Sequence, residues 1–240
     1  MKGLFIGINY LGMSCELNGC INDAKNLSDL YKKIYGLKNY VILTDDNKYN
    51  MPTKKNILNG VLWLTKNNNK NEQLFFHYSG HGVDVRDDGY HLHDGILPCD
   101  YLENGYIDNN KIKSMLTDDS HNGRLFAVFD NCRSEKILDL PFVYDPSINK
   151  LKHNPIDPNI VMLSNSSKKS IDVTILSENK ILHYGALSWA LKEVLQKSPF
   201  ISYQELMKNI SNIYIKAQYD QLPRLSFNIY PDVTTSVVKI

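Results

Sequence analysis

Five short apolar runs rich in strand-forming residues punctuate the chain, at positions 4–8, 40–43, 74–78, 125–129 and 160–163, each bounded by polar residues or glycine. Runs this short and this largely apolar read as strands buried on both faces. Between the first three, apolar positions recur at helical spacing: Ala24, Leu27, Leu30, Tyr31 and Ile34 within 22–35, then Ile57, Leu58, Val61 and Leu62 within 53–64. Strand alternating with helix predicts an α/β fold with a mostly parallel central sheet covered on both faces. Thr53 follows Pro52 and is placed to cap the second helix, while Gly36 stands where the first should stop. Two further helices are expected at 186–195 and 203–214, and the end of the chain, 224–240, reads as extended. The stretch "DPSINKLKHNPIDP" (145–158) holds three prolines and few apolar residues, so it is expected to be an exposed loop rather than a domain boundary. Residues 1–240 are therefore read as one domain.

Composition narrows the class of protein without naming a partner. A chain of 240 residues that is 42% hydrophobic can fill a sizeable core. Its formal net charge of +1 provides no field that would draw it to nucleic acid or an anionic membrane, and no apolar run approaches spanning length. Cys15, Cys20, Cys99 and Cys132 lack tight pairwise spacing. Free thiols in a reducing, cytoplasmic compartment are expected rather than a disulfide framework.

In open α/β sheets, ligands gather beyond the carboxyl ends of the strands. Two such ends carry chemistry here: "YSGHG" closes the 74–78 run, and "FDNCRSE" closes 125–129. A thiol of ordinary pKa, about 8.5, is only a few per cent thiolate at neutral pH. An imidazole beside it raises that fraction and afterwards protonates a leaving amine. His81 and Cys132 are candidates for that pair, and their separation of 51 residues resembles the His-to-Cys spacing of caspases. Alternation along a strand would set Ser79 on the side of His81 and Asp130 on the side of Cys132. Gly82 has no Cβ to obstruct a substrate carbonyl, so the amides of Gly82 and Cys132 are candidates for an oxyanion hole. Either residue alone would have a plainer reading, a buried small hydrophobe for the cysteine and a turn residue for the histidine. Their pairing favours catalysis.

These residues sit in an ordered series of blocks, "GINY", "LNGCINDA", "VILTDD", "PTKKNIL", "FFHYSGHG", "ILPCDYLENGYI", "DNC", "DLPFVY", "GALSWAL" and "QLPRLS", which together resemble the metacaspases, caspase-like cysteine peptidases found outside animals. The resemblance implies a caspase-like three-layer α/β sandwich, peptide hydrolysis by Cys132 and His81, and a monomer acting on protein or peptide substrates. It also implies cleavage after Arg or Lys, with Asp23, Asp130 and Ser79 forming an acidic specificity pocket. A plainer role for Asp23 is a carboxylate at a helix N-terminus. The chain departs from the family around the nucleophile, reading Asp130, Asn131, Cys132, Arg133, Ser134, Glu135 where the family usually has Asp-Ser-Cys-His-Ser-Gly. The altered Arg133 and Glu135 motivate a second expectation, a catalytically weakened homologue that binds partner proteins as a regulator. A flavodoxin-like nucleotide binder would share the alternation, but "GINYLG" offers no phosphate-cradling glycine loop.

Many metacaspases need calcium, held by aspartates away from the dyad. The matching positions here are His93 (or Asp94), Asn109, Asn110 and Asp139. With so few carboxylates left, calcium binding should be weak and activity independent of it; no cofactor is expected. His91, His93 and Cys99 could suggest zinc, but they lack the paired spacing of zinc modules, and two surface histidines are the plainer account. The strand-like start near Met1 leads us to expect no proline-rich prodomain. Lys150 and Lys152 fall in the exposed loop where the resemblance implies self-cleavage, although ordinary lysines of a solvated loop are the plainer account for at least one of them.

Overall fold

The computed structural model describes residues 1–70, 72–86, 92–118, 123–132, 134–146, 159–165, 172–177 and 180–236. In chain order they form β1 (Lys2–Gly7), α1 (Cys20–Tyr35), β2 (Asn39–Thr44), α2 (Lys54–Thr65), β3 (Gln73–Ser79), β4 (Gly82–Arg86), β5 (Leu92–Ile96) and α3 (Tyr101–Asn104). There follow β6 (Ile107–Asp108), α4 (Asn109–Leu116), β7 (Arg124–Asp130), β8 (Phe142–Val143), β9 (Ile160–Asn165), β10 (Asp172–Ser177), β11 (Lys180–Gly185), α5 (Ala186–Lys197), α6 (Tyr203–Ala217) and β12 (Pro223–Phe227).

Among the described residues the main sheet runs β2-β1-β3-β7-β9-β12-β8. Its first five strands are parallel, and β12 runs antiparallel between β9 and β8. The five apolar runs fall on these first five strands, the first of them reaching one residue past β1 to Ile8. Alternation along them feeds two cores. Phe5, Phe75, Phe126, Val128 and Leu163 face α1, α5 and α6, whereas Leu4, Ile6, Phe76, Ala127 and Met162 face α2 and α4. Helices on both faces make the predicted three-layer α/β sandwich. Each large side chain withdrawn from water in these layers contributes about 1.5–3 kcal/mol, which is why the sheet forms a rigid platform for what projects beyond it.

Two expected helix limits also hold. Thr53 Oγ1 accepts the Asn56 N–H at 3.2 Å and caps α2. Gly36 ends α1 in the left-handed region at φ 67°, its N–H bonded back to Tyr31 O. At the end of the chain the structure differs from the sequence expectation: the strand stops at Phe227. Beyond it Asp232 turns the chain, its Oδ1 accepting the Thr234 N–H at 3.0 Å and its carbonyl the Ser236 N–H at 2.8 Å. The small sheets β4-β5-β6 and β10-β11 escape the sequence reading because strands such as "GVDVR" and "LHDGI" mix polar with apolar positions. Most of the 145–158 loop, with Lys150 and Lys152, lies outside the described residues, as do His91 and Arg133. No helix of the described residues is long and apolar enough to cross a membrane.

Candidate active site

Strands β3 and β7 pair in parallel with Ser79 opposite Asp130, the last residue of each strand. His81 and Cys132 each lie two residues past that pair, so the sheet delivers both to one rim of the domain. Here the structure changes the detail of the sequence argument. Because both strands end at Ser79 and Asp130, strand alternation does not extend to His81 and Cys132. Ser79 and Asp130 are buried on the α1 and α5 side, while His81 and Cys132 are half-buried at the surface.

Gly82 brings the two loops into contact. A Cβ there would stand 2.6 Å from Asn131 Nδ2 and closer still to the Cys132 carbonyl oxygen. Asn131, 2% exposed, donates from Nδ2 to that same carbonyl at 2.8 Å.

His81 is held at four points. Its N–H donates to Tyr10 Oη at 2.9 Å, and its carbonyl accepts from Tyr78 Oη at 2.8 Å and from the Leu97 N–H at 3.1 Å. Its Nε2 lies 2.8 Å from the carbonyl oxygen of Cys15. A carbonyl only accepts, so Nε2 carries the hydrogen and Nδ1 is left with the lone pair of a base. The Tyr10 ring tilts against the imidazole with centroids 4.7 Å apart. Burial pushes the Tyr10 and Tyr78 hydroxyls well above the ordinary phenol range, so both remain protonated donors at neutral pH.

The candidate pocket acids converge on the N-terminus of α5. Asp130 Oδ2 accepts the Ser188 N–H at 2.8 Å, in the first turn of a helix whose N-cap, Gly185, has no side chain to do so. Asp130 thus caps α5 from a neighbouring strand, where the helix dipole favours a negative charge. Its Oδ1 accepts from Asn165 Nδ2 at 3.2 Å, and Asn165 Oδ1 accepts from Tyr214 Oη at 3.0 Å. Asp23, in the first turn of α1, accepts the Gly185 N–H at 3.0 and 2.9 Å and the Ser79 hydroxyl at 2.8 Å. A Cβ on Gly185 would overlap the Asp130 carboxylate and stand 2.9 Å from Asp23 Oδ2, so both acids flank one residue. Asp23, Ser79 and Asp130 are therefore brought together, each nearly inaccessible. The plainer role weighed for Asp23, a first-turn carboxylate, is present too, but its side chain reaches across to α5.

Next to this cluster, His77 is fully buried with Nε2 2.9 Å from Ser188 Oγ, and burial pushes its pKa down to about 3. It is a neutral packing residue.

The positions matched to calcium ligands lie elsewhere. Asn109 and Asn110 begin α4, Asp139 sits at φ 45° with its carboxylate 3.0 Å from Lys113 Nζ, and Asp94 is on β5. The side chain of His93 lies outside the described residues. Cys99 is buried and its thiol is pushed up to about 12, by burial and then by Asp100 and Asp45, which disfavours the thiolate that zinc would need.

The sequence pattern did not point to Tyr10, the Cys15 carbonyl, Asn165 or Gly185, nor to the bond from Asn131 to the Cys132 carbonyl. The blocks "GINY" and "GALSWAL" contain two of them, but no local pattern tells which long-range partner each one meets.

The metacaspase peptidase C14 domain model matches residues 1–141. Metacaspase-1A of Neurospora crassa is 33% identical over 94% of this chain and 62% of its own length, and Metacaspase-1 of Ajellomyces capsulatus is 33% identical over 94% of this chain and 79% of its own. The chain thus spans under two thirds of the Neurospora protein. Among solved structures, protein GSU0716 from Geobacter sulfurreducens superposes with a TM-score of 0.65 at 17% identity, covering 99% of both chains. Pro-sf-caspase-1 does so with 0.60 at 11% identity, covering 96% of this chain and 88% of that one.

Proposed function

This chain belongs to the metacaspase family of cysteine peptidases, and from that premise we propose that it is an endopeptidase cleaving after Arg or Lys without calcium. The observation that supports the reading is the pairing of Ser79 with Asp130 at the ends of adjacent strands, two residues before His81 and Cys132 respectively.

Cys132 Sγ gives its proton to His81 Nδ1 and attacks the scissile carbonyl carbon. The carbonyl π electrons move to oxygen, where the amides of Gly82 and Cys132 receive the negative charge. As the tetrahedral intermediate collapses, the C–N bond breaks and the imidazolium protonates the leaving amine. Water, deprotonated by His81, then attacks the thioester; the acid is released and the proton returns to the thiolate. The Nε2–H bond to Cys15 O supports this assignment because it keeps Nδ1 as the base throughout.

A basic side chain of the substrate is drawn to Asp23 and Asp130, with Ser79 held against Asp23; since all three are nearly inaccessible, seating it requires the residues around them to part. Two carboxylates steadied by backbone amides favour a cation and reject an anion. The residues at the calcium positions fit a hard divalent cation poorly. Asp139 already faces the Lys113 ammonium, and Asn109 and Asn110 offer neutral amides. Four cysteines outside any disulfide accord with action in a reducing cytoplasm, and we read the chain as a monomer. The same specificity would permit self-cleavage after Lys150 or Lys152, seen as a shorter intact mass in wild type but not in Cys132→Ala.

The deciding experiment compares wild type with Cys132→Ala on matched Arg, Lys and Asp fluorogenic peptides, with and without a calcium chelator. Release from the Arg and Lys peptides alone, by wild type alone, and unaffected by chelator, is the expected result. No release under any condition would leave the protein-binding homologue as the surviving account.

A further inference from the structure

The segment joining β1 to α1, residues 8–19, lies against His81, and a carboxylate from another strand end holds it there. Asp45 follows β2 immediately. Its Oδ1 accepts the Asn9 N–H at 2.9 Å and its Oδ2 the Leu11 N–H at 3.0 Å, so both oxygens grip the amides on either side of Tyr10. Tyr10 itself sits at φ 54°, in the left-handed region that a large side chain avoids. Two charge-assisted bonds offset that strain. The resulting turn lays the Tyr10 ring on the imidazole and directs its hydroxyl to the His81 N–H and the Leu97 carbonyl. It continues through Met13 N–H to Tyr10 O at 3.0 Å and Leu17 N–H to Asn9 O at 2.7 Å, and between these lies Cys15, whose carbonyl takes the Nε2–H.

We propose that Asp45 is a positioning residue for His81: by clamping the 9–11 turn it fixes the Cys15 carbonyl and so holds the imidazole as its Nε2–H tautomer with Nδ1 free. The proposal rests on the reading of His81 as the base. Asp45 touches neither substrate nor reacting atoms in that reading, and acts through Tyr10 and Cys15. Asp45→Asn keeps the shape but has one acceptor oxygen, so its NH2 group must oppose one of the two backbone N–H groups. The turn loosens, the Cys15 carbonyl drifts, and the imidazole samples both tautomers.

The test is NMR of protein labelled with 15N-histidine, with the His81 signals assigned by their loss in His81→Gln. In wild type the His81 nitrogens should show a protonated Nε2 and an unprotonated Nδ1. In Asp45→Asn their shifts should converge toward a tautomer average while the other histidine signals stay put. On the Arg peptide kcat should fall about tenfold or more, with KM nearly unchanged. Unmoved His81 signals in a folded Asp45→Asn would overturn the proposal. Should that variant fail to fold, Asp45→Ser, which retains a single short acceptor, is read in the same way; loss of fold in both would make Asp45 a structural anchor only and also overturn it. The tautomer signal needs no turnover. A wild type that cleaves nothing therefore defeats the peptidase reading while leaving the Asp45 proposal to be decided by the spectrum.

Discussion

Replacing Gly82 with alanine probes the contact that joins the two halves of the candidate site. Ordinary van der Waals contact begins near 3.4 Å, whereas the added methyl would lie 2.6 Å from Asn131 Nδ2, with the Cys132 carbonyl nearer still. The two loops must part by about 0.8 Å or more, since a backbone carbonyl cannot swing aside as a flexible side chain would. Overpacking of this kind costs about 1–3 kcal/mol, and in a chain of this size each kcal/mol lowers Tm by about 2–4 °C. The loss of activity should be much larger. A displacement near 1 Å between nucleophile and base costs about 100-fold in rate, and here the Gly82 amide moves together with His81. Steady-state kinetics on an Arg fluorogenic peptide, paired with a thermal melt, separate the two effects. The expected result is kcat reduced about 100-fold in a protein that still melts cooperatively within several degrees of wild type. A folded Gly82→Ala with near wild-type kcat would show that the close approach of the two loops has no part in catalysis, and would refute the argument.

Asp130→Asn should raise KM for Arg peptides and lower kcat/KM by about 100-fold without creating cleavage after Asp, as kinetics on the three-peptide panel will reveal; the loss of a charged cap on α5 should cost about 1 kcal/mol in a urea melt. His77 makes stability pH-dependent in a definite direction. Its folded pKa of about 3 lies below the unfolded value near 6.5, so unfolding takes up a proton. That stability is full above about pH 6.5 and declines as pH falls toward 3, by about 1.4 kcal/mol per pH unit. Urea midpoints at pH 5 and 7 should converge in His77→Gln relative to wild type; an unchanged difference between them would remove His77 from the acid response.

Much of the architecture was legible because local pattern carries it. Largely apolar runs such as "GLFIGI" and "LFFHYS" fit strands sandwiched between layers, and Thr53 and Gly36 mark helix ends through chemistry confined to a few residues. The half-exposed hairpins were not legible, since strands that mix polar and apolar positions resemble loops. Within the site, the motifs picked out His81, Cys132, Asp23, Ser79 and Asp130 as residue types, but not what surrounds them. The departure at Asn131 was visible in the sequence, while its amide reaching back to the Cys132 carbonyl was not.

The alternation of strand and helix, the two apolar faces of the sheet and the side chains that end the strands follow from residue pattern alone. Those properties are set by residues a few positions apart. It takes the packed molecule to set Ser79 opposite Asp130, to make Asp130 cap a helix starting 56 residues later in the chain, and to bring a carbonyl of the first loop to His81 Nε2. Parallel register, helix docking and backbone acceptors depend on how distant segments pack, and a carbonyl is the same at every residue, so no sequence pattern announces which one will meet the imidazole.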